Sequence, residues 1–220
     1  KGVPKKNIKL LGGKPLILRS IEFAKVIAKL EDVICVSTDD ASVLKIAKDN
    51  GIFQPFTRPS ELSTDSASIF GAILHAINFY KKKGIQFDII ILLQPTSPFR
   101  DPSDYLEMEK IYLKNLPDMV VSVKMIKDSP YFNLFQEEEN GFLTKFFNNS
   151  SPNRQDHPPV YGYNGSIYLF NYNSFLNIGS FSFDRIMKFL MSEIKSIDID
   201  TPLDWAFSEF ILENNFDETC

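Results

Sequence analysis

Five consecutive aliphatic residues, Ile89–Leu93, constrain the fold of this chain more than any other segment. The run is too short to cross a membrane and suits a strand buried on both faces, as in parallel sheets covered by helices. A polar loop follows, Gln94-Pro-Thr-Ser-Pro-Phe-Arg100, which two prolines stiffen and which offers an amide, two hydroxyls and a guanidinium. Open α/β sheets bind ligands beyond the carboxyl ends of their strands. The loop is therefore predicted to bind a polar ligand, and a rigid, solvated turn is the alternative.

Helical and strand-like segments alternate around this run. Apolar spacing predicts helices over 16–30, 41–50, 66–80 and 102–113, and strands over 33–37, 89–93 and 119–123. The later elements are predicted as a strand over 166–170, a helix over 183–191 and a strand over 196–200. This β-α-β-α order predicts an α/β fold, with a mostly parallel sheet and helices on both faces.

One segment interrupts the alternation. Residues 127–163 contain Glu137-Glu-Glu-Asn-Gly141 and aromatics such as Tyr131 and Phe135, a composition that indicates hairpins or an extended arm. We therefore divide the chain into a core, residues 1–126 and 164–220, and an inserted arm, residues 127–163. Arms that carry aromatic residues often pack on a second subunit, which favours a homodimer; a floppy surface insertion is the alternative.

Charge and cysteine content argue against several classes of protein. The net charge is −4 and the sequence pI is about 5.3, so no basic field would attract a nucleic-acid polymer. Two cysteines do not make a disulfide framework, and a reducing cytoplasm fits them. No apolar stretch reaches the roughly 18 residues that a membrane helix needs, so no membrane partner is expected.

Ser196-Ile-Asp-Ile-Asp200 carries the clearest chemical signal after the polar loop. Because strand side chains alternate between faces, Asp198 and Asp200 should point the same way, where two carboxylates can share a divalent cation and its waters. Thr201-Pro-Leu-Asp204 then has the pattern of a helix start with a capping box. An edge strand with an acidic outward face is the alternative to a metal site.

Cations in irregular segments are further candidates. Lys1, Lys6 and Asn7 lie in a glycine-bearing opening loop, which suits a triphosphate or forms a solvated basic turn. Arg58 and Arg154 are isolated cations, and either could bind a phosphate or a carboxylate.

Together these segments resemble one enzyme family. Its motifs occur here in order: Lys1-Gly-Val-Pro-Lys-Lys-Asn7, Leu11-Gly-Gly-Lys-Pro-Leu16, Ser37-Thr-Asp-Asp40, Arg58-Pro-Ser-Glu-Leu62, Gln94–Arg100, Asn164-Gly-Ser-Ile-Tyr168 and Asp198-Ile-Asp200. The ordered set covers nearly the whole chain and closely resembles the acylneuraminate cytidylyltransferases, also called CMP-sialic acid synthetases.

The resemblance implies a Rossmann-like nucleotidyltransferase fold of the kind used in surface polysaccharide biosynthesis. The implied reaction is Mg²⁺-dependent transfer of the cytidylyl group of CTP to the anomeric hydroxyl of an N-acylneuraminate or related nonulosonic acid, with release of pyrophosphate. A homodimer is also implied, in which the arm of one subunit reaches the other's active site. The alternatives are a synthetase for CMP-Kdo or another sugar nucleotide, and a non-catalytic nucleotide-binding homologue. Since the family has a first strand and a phosphate loop before this point, we expect both upstream of residue 1.

The resemblance also implies roles for individual residues. Asp198 and Asp200 would bind Mg²⁺ and form the catalytic set with Lys6. Lys1, Lys6, Asn7 and Arg58 would bind the nucleotide. The sugar acid would be contacted by Gln94, Thr96, Ser97, Arg154, Asn164, Tyr168 and Phe181. Gly162, where some members have an arginine, and Ser182, where some have a second aromatic, leave the identity of the sugar acid open.

Overall fold

The computed structural model describes residues 2–53, 56–64, 66–147, 153–214 and 216, and only the backbone of Arg154. Short 3₁₀ helices span Lys6–Ile8, Ser60–Leu62 and Arg154–Asp156. The α-helices of this part are α1 (Leu16–Ile27), α2 (Ala41–Asp49), α3 (Ile69–Lys81), α4 (Pro102–Asn115), α5 (Tyr172–Ile178) and α6 (Pro202–Glu213). Its strands are β1 (Leu10–Leu11), β2 (Lys14–Pro15), β3 (Ile89–Leu93), β4 (Met119–Met125), β5 (Phe135–Glu137), β6 (Leu143–Lys145), β7 (Tyr161–Asn171) and β8 (Ile186–Leu190).

The central sheet has the strand order β3-β7-β4-β8. β8 lies parallel to β4, whereas the long strand β7 pairs antiparallel with both β3 and β4. β3, β4 and β8 therefore share one direction, and β7 returns between β3 and β4 in the opposite direction. The predicted α/β class is confirmed, with a sheet that is mixed at β7.

Helices cover both faces of the sheet, as predicted. On one face Phe23 of α1 and Met108 of α4 pack on Val120 of β4. On the other face side chains of α3 and α5, among them Phe175, pack on Val121. Neighbouring residues of β4 thus enter opposite layers, as the twofold period of a strand requires. Burying each of these large side chains stabilises the fold by about 1.5–3 kcal/mol.

Two helices begin at a capping box with proline in the first turn. Asp101 and Asp104 form the box of α4, and Thr201 and Asp204 form the predicted box of α6. The Asp204 carboxylate also accepts from the backbone N–H of Asp200, over 3.0 Å. An N-cap of this kind contributes about 1 kcal/mol. The start of α6 therefore holds the backbone of the Asp198–Asp200 segment in place.

The helix predicted over 183–191 is wrong, because Ile186–Leu190 forms strand β8. Met187 and Phe189 pack against the same apolar cluster as Val120, while the alternate residues Ile186, Lys188 and Leu190 are exposed. This spacing of two residues is the period of a strand. The short apolar run did not distinguish the two states until pairing with β4 decided between them.

Two other predicted strands are extended segments without strand pairing. Residues 33–37 are separated from β3 by a cavity of about 720 Å³, which side chains of both segments line. The turn at 193–196 and the extended residues 197–200 replace the strand predicted over 196–200. β3 is an edge strand of the central sheet, and the cavity lies along it.

The arm contains a hairpin, β5–β6, closed by a turn in which Gly141 N donates to Glu138 O over 2.9 Å. Large apolar side chains of the arm are exposed, and we call them the arm patch: Phe132, Leu134, Phe135, Phe142, Leu143, Phe146 and Phe147. The hairpin agrees with the predicted form of this segment, and its role in dimerisation stays a prediction. No helix in the described ranges is long and apolar enough to cross a membrane.

Candidate active site at the ends of the strands

The polar loop after β3 is folded around its own arginine. The Arg100 guanidinium donates to the backbone carbonyls of Gln94 and Ser97, the latter over 2.6 Å, and to Ser20 Oγ over 3.3 Å. Arg100 is only 9% exposed. The guanidinium therefore lies beneath the loop and, contrary to the prediction, does not offer its charge to a ligand. The loop's amide and hydroxyl groups are its remaining polar side chains.

Gly165 marks the point where three predicted site residues meet. A Cβ added to this residue would lie 3.0 Å from Gln94 Oε1, 3.3 Å from Asp198 Oδ2 and 3.3 Å from Ser97 Oγ. Ser97 Oγ donates to the carbonyl of Asn164 over 3.2 Å. Segments about seventy and a hundred positions apart in sequence therefore converge at one place, as the sequence-based roles require.

The side chain of Asn164 is turned into the protein. Its Oδ1 accepts from Ser122 Oγ over 2.6 Å and from the backbone N–H of Ser166 over 3.2 Å. Its Nδ2 donates to Ser196 Oγ over 3.0 Å and contacts Met191 Sδ at 3.3 Å. Each polar atom of the amide thus has two protein partners. In this geometry Asn164 ties β7 to β4 and to the turn before Asp198.

The acidic segment is anchored through the residue between its carboxylates. Ile199 N donates to Thr96 O over 2.8 Å, and the Ile199 side chain is fully buried in a cluster with Ile197. Asp198 Oδ1 is buried and has no hydrogen-bond partner within the described residues, whereas the Asp200 side chain is largely exposed. The two isoleucines share one apolar cluster, which leaves Asp198 and Asp200 to the polar side of the segment.

The opening loop packs directly on this acidic segment. Lys6 Nζ donates to Ile199 O over 2.7 Å and to Asp200 Oδ1 over 2.9 Å. A Cβ on Gly2 would lie 1.9 Å from Asp200 O, so only glycine permits this approach. Lys6 is thereby fixed beside the carboxylate with which it was paired on sequence grounds. Lys1 lies outside the described residues.

Asn7 and Arg58 line the cavity beside β3, together with Gln94. Arg58 Nε donates to Ser37 Oγ over 3.1 Å, and its Nη2 donates to Ser37 O. Burial lowers the pKa of Arg58, and the nearby Asp39 carboxylate opposes that shift. Arg58 is therefore hydrogen-bonded to the end of the segment 33–37, and its positive charge lies at the cavity.

Aromatic side chains pack together on strand β7, where two of them, Tyr163 and Tyr168, lie. The rings of Tyr168 and Phe181 meet edge to face at 6.3 Å, and Tyr163 meets Tyr168 in the same way at 5.9 Å. Burial raises the pKa of Tyr168, and the negative charge of Asp198 acts in the same direction. Tyr168 thus joins the site, with Phe181 behind it. The side chain of Arg154 is not among the described atoms, and its backbone lies in the short helix Arg154–Asp156.

Sequence reasoning missed the residues that support the site. Gly165 has a positive φ of 74° inside β7, opposite a register shift between Val121 and Val123. A glycine within a strand pattern signals a bulge or a close approach, and that signal was available. The inward turn of Arg100 had no sequence signal, because it depends on Ser20 and on the curvature of the loop.

Known proteins are similar to this chain over most of its length. A family model described as cytidylyltransferase matches residues 1–171. The CMP-N,N'-diacetyllegionaminic acid synthase of Legionella pneumophila is 33% identical, over 98% of this chain and 92% of that protein. The N-acylneuraminate cytidylyltransferase of Escherichia coli O18:K1:H7 is 31% identical, over 94% of this chain and 48% of that protein.

A solved structure has the same fold at much lower sequence identity. It is a CMP:2-keto-3-deoxy-manno-octonic acid synthetase complexed with CTP, which superposes with a TM-score of 0.69 at 16% identity and covers 98% of this chain and 95% of its own. The match to the family model over most of the chain, together with the Legionella pneumophila relative that is 33% identical over 92% of its length, shows that this chain belongs to the cytidylyltransferase family.

Proposed function

We propose that this protein transfers the cytidylyl group of CTP to the anomeric hydroxyl of an N-acylneuraminate or related nonulosonic acid. The hydroxyl oxygen bonds to the α-phosphorus, the bond from that phosphorus to the bridging oxygen breaks, and pyrophosphate leaves while the hydroxyl proton is released. The names of the relatives point to this class of acceptor. The single observation that carries the proposal is the convergence of Gln94, Ser97 and Asp198 around Gly165.

The acceptor side of the site is built for a polar sugar acid. The Gln94 amide and the Thr96 hydroxyl offer donors and acceptors, and the Tyr168 phenol adds a donor held by aromatic packing. The predicted contact from Ser97 is not available in this geometry, because Ser97 is fully buried and its Oγ donates to Asn164 O. Phe181 supplies an apolar surface beside them, which suits the methyl of an N-acyl group. Such transfers need little covalent chemistry from the protein, so positioning and charge neutralisation dominate.

The carboxylates fit a magnesium ion that also binds the substrate's phosphates. The buried Asp198 Oδ1 lacks a partner among the described residues, and an unpaired buried carboxylate oxygen suits a hard cation. In those residues no cluster of three histidine, cysteine or acidic side chains occurs. Magnesium commonly uses one or two carboxylates and takes its other ligands from water and phosphate, so Asp198 and Asp200 suffice. When bound, the ion would neutralise the triphosphate and the leaving pyrophosphate.

Charged side chains of the opening loop and the cavity would hold the nucleotide. Lys6 is part-buried and is held by Ile199 O and Asp200, so its ammonium group lies next to the Asp200 carboxylate. Asn7 and Arg58 border the neighbouring cavity and would contact the nucleoside and phosphates. We place the reaction in a reducing cytoplasm, which suits a chain whose two cysteines make no disulfide framework.

Turnover tests the proposal directly. The full protein would be given CTP, Mg²⁺ and a panel of N-acetylneuraminate, a legionaminate and Kdo, and pyrophosphate release would be measured. We expect release with a nonulosonic acid. Release with Kdo alone would move the assignment to that sugar. CTP binding without release for any acid would leave a non-catalytic nucleotide-binding protein.

We also propose a homodimer formed through the arm patch. Seven exposed apolar side chains on one short segment form a surface that water solvates poorly, and a second copy would cover it. Sedimentation of the wild type, of Phe142→Ser with Leu143→Ser, and of Leu30→Ser tests this. Leu30 is the control, because it is an exposed leucine outside the arm. A dimer that persists in the arm variant would exclude the patch as the main contact.

A further inference from the structure

Arg100 is a buried cation whose described partners are all neutral. Two are carbonyl oxygens of its own loop, Gln94 O and Ser97 O, and the third is Ser20 Oγ of α1. Its Nε has no partner within the described residues, and none of the ion pairs formed there includes Arg100. The guanidinium lies over the ring of Phe23, 5.5 Å from its centroid. A structural charge is usually neutralised by a carboxylate, and here no described carboxylate does so.

Burying a charge in this way is unfavourable unless its hydrogen bonds are strong. Burial lowers the pKa of Arg100 to about 9, the sign of that unfavourable environment. The hydrogen bonds from Arg100 are charge-assisted, and they offset part of the cost of burying the charge. A planar guanidinium can hold two carbonyls in one fixed arrangement. Nη2 holds both carbonyls and Nη1 contacts Ser20 Oγ, and the single nitrogen of a lysine cannot occupy both positions. The position therefore uses a property that is specific to arginine.

The two carbonyls held by Arg100 bracket the part of the loop that forms the site. The side chains of the same two residues, through Gln94 Oε1 and Ser97 Oγ, lie next to Gly165. The same turn presents Thr96 O to Ile199 N over 2.8 Å, which links the loop to the Asp198–Asp200 segment. Any change in the curvature of the loop would shift all three groups together.

We infer that Arg100 is a positioning residue: from beneath, it clamps the loop Gln94–Ser97 to α1 and so fixes the acceptor-side groups of the site without touching substrate. The acceptor assignment rests on the proposed function, whereas the clamp itself does not. Loss of the clamp loosens the loop and the hydrogen bond from Ile199 to Thr96. It leaves the nucleotide side, around Arg58, in place.

Amide hydrogen exchange on the substrate-free protein tests the clamp independently of turnover. In Arg100→Lys and Arg100→Met we expect the amides of Ser97 and Ile199 to exchange about tenfold faster than in the wild type. Arg19→Lys is the matched control. Arg19 lies on α1, next to Ser20; like Arg100 it has a pKa lowered by burial and donates to a backbone carbonyl, in its case Leu11 O over 2.8 Å, which is not part of the loop. Wild-type exchange at both amides in both Arg100 variants would overturn the inference.

Kinetics then test the effect on the site. We expect the KM for the sugar acid to rise about tenfold or more in Arg100→Lys, while the KM for CTP, whose phosphates would meet the carboxylates linked to the loop through Ile199, changes by a smaller factor. A role in general stability would shift both constants by the same factor or shift neither. If Arg100→Met fails to fold, Ser20→Ala, which removes one contact of the clamp, should shift the same constant in the same direction by a smaller factor. Unchanged acceptor KM in Arg100→Lys and Ser20→Ala would refute the inference.

The two proposals fail in different ways. If the wild type releases no pyrophosphate with any acid, the proposed function fails, and hydrogen exchange still decides the clamp. If the wild type turns over and the variants keep both their exchange rates and their acceptor KM, only the clamp fails.

Discussion

Replacing Gly165 by alanine would test whether the three segments meet in a working site. The residue has a φ of 74°, and its missing side chain leaves room for Gln94, Ser97 and Asp198 to approach one another. An added methyl would stand 3.0 Å from Gln94 Oε1 and 3.3 Å from both Asp198 Oδ2 and Ser97 Oγ. These distances are tighter than ordinary contacts, so at least one of the three groups must move.

The expected losses come from two separable effects. A non-glycine residue in the left-handed region costs about 1–2 kcal/mol, which for a chain of this size lowers Tm by about 2–8 °C. Displacing the catalytic and acceptor groups is a second effect, and a misplacement of about 1 Å can reduce turnover about 100-fold. We therefore expect Gly165→Ala to lose a modest amount of stability and most of its activity.

Gly179→Ala separates the two effects. Gly179 has a similar φ of 69° at the end of α5, and a Cβ there meets no atom within 4 Å. This control should show the loss in Tm, measured by thermal unfolding, and keep the wild-type rate of pyrophosphate release. Equal turnover in the two alanine variants would refute the view that the site is organised around Gly165.

Three further predictions follow from the geometry. Asp200→Asn should lower turnover about 100-fold or more without unfolding the protein, because it removes a metal carboxylate and an exposed ion pair worth about 1 kcal/mol or less. Asp49→Asn, which breaks an exposed pair with Lys45 on α2, is its control, and near-normal kcat in Asp200→Asn would contradict the metal assignment. Thr201→Ala should lower the free energy of unfolding by about 1 kcal/mol in urea, because α6 loses its N-cap; an unchanged midpoint would count against the capping box. Burial raises the pKa of Tyr168 above 10.0, so the unfolded chain loses this proton first and the free energy of unfolding should fall as pH rises past that value. Tyr168→Phe should show a shallower fall, and an identical slope would argue against the buried phenol.

Much of the architecture could be predicted from the sequence, because helices and strands depend on local patterns of residues. The four long helices of the first half, strands β3 and β4, and the capping box at Thr201 were predicted from apolar spacing and cap residues, and all were confirmed. The prediction failed where pairing decides the state. Ile186–Leu190 could have been helix or strand, and only its place beside β4 made it a strand.

The site was predicted as a set of residues, and its internal arrangement was not. The polar loop was singled out because ligands bind beyond the strand ends of an α/β sheet, and Asp198 because strand side chains alternate between faces. The resemblance to the family then implied the roles of Gln94, Ser97 and Asp198. The Arg100 guanidinium was expected to face a polar ligand, and Asn164 was expected to contact the sugar acid. Both side chains instead form hydrogen bonds within the protein, Arg100 with Ser97 O and Asn164 with Ser122. Which polar groups turn inward depends on partners from distant segments, such as Ser20 and Ser122.

The sequence alone determined the α/β class and its covering helices. The side chains of an aliphatic run such as Ile89–Leu93 point to both faces of the strand, so they are removed from water only when helices cover both faces of the sheet. It also determined which chemical groups were present at the strand ends. Only the tertiary structure decided that β7 returns between β3 and β4, and this pairing brings Gly165 to Gln94 and Asp198. The physical reason is range: side-chain periodicity acts over a few residues, whereas the site consists of contacts between segments that the folding of the whole sheet brings together.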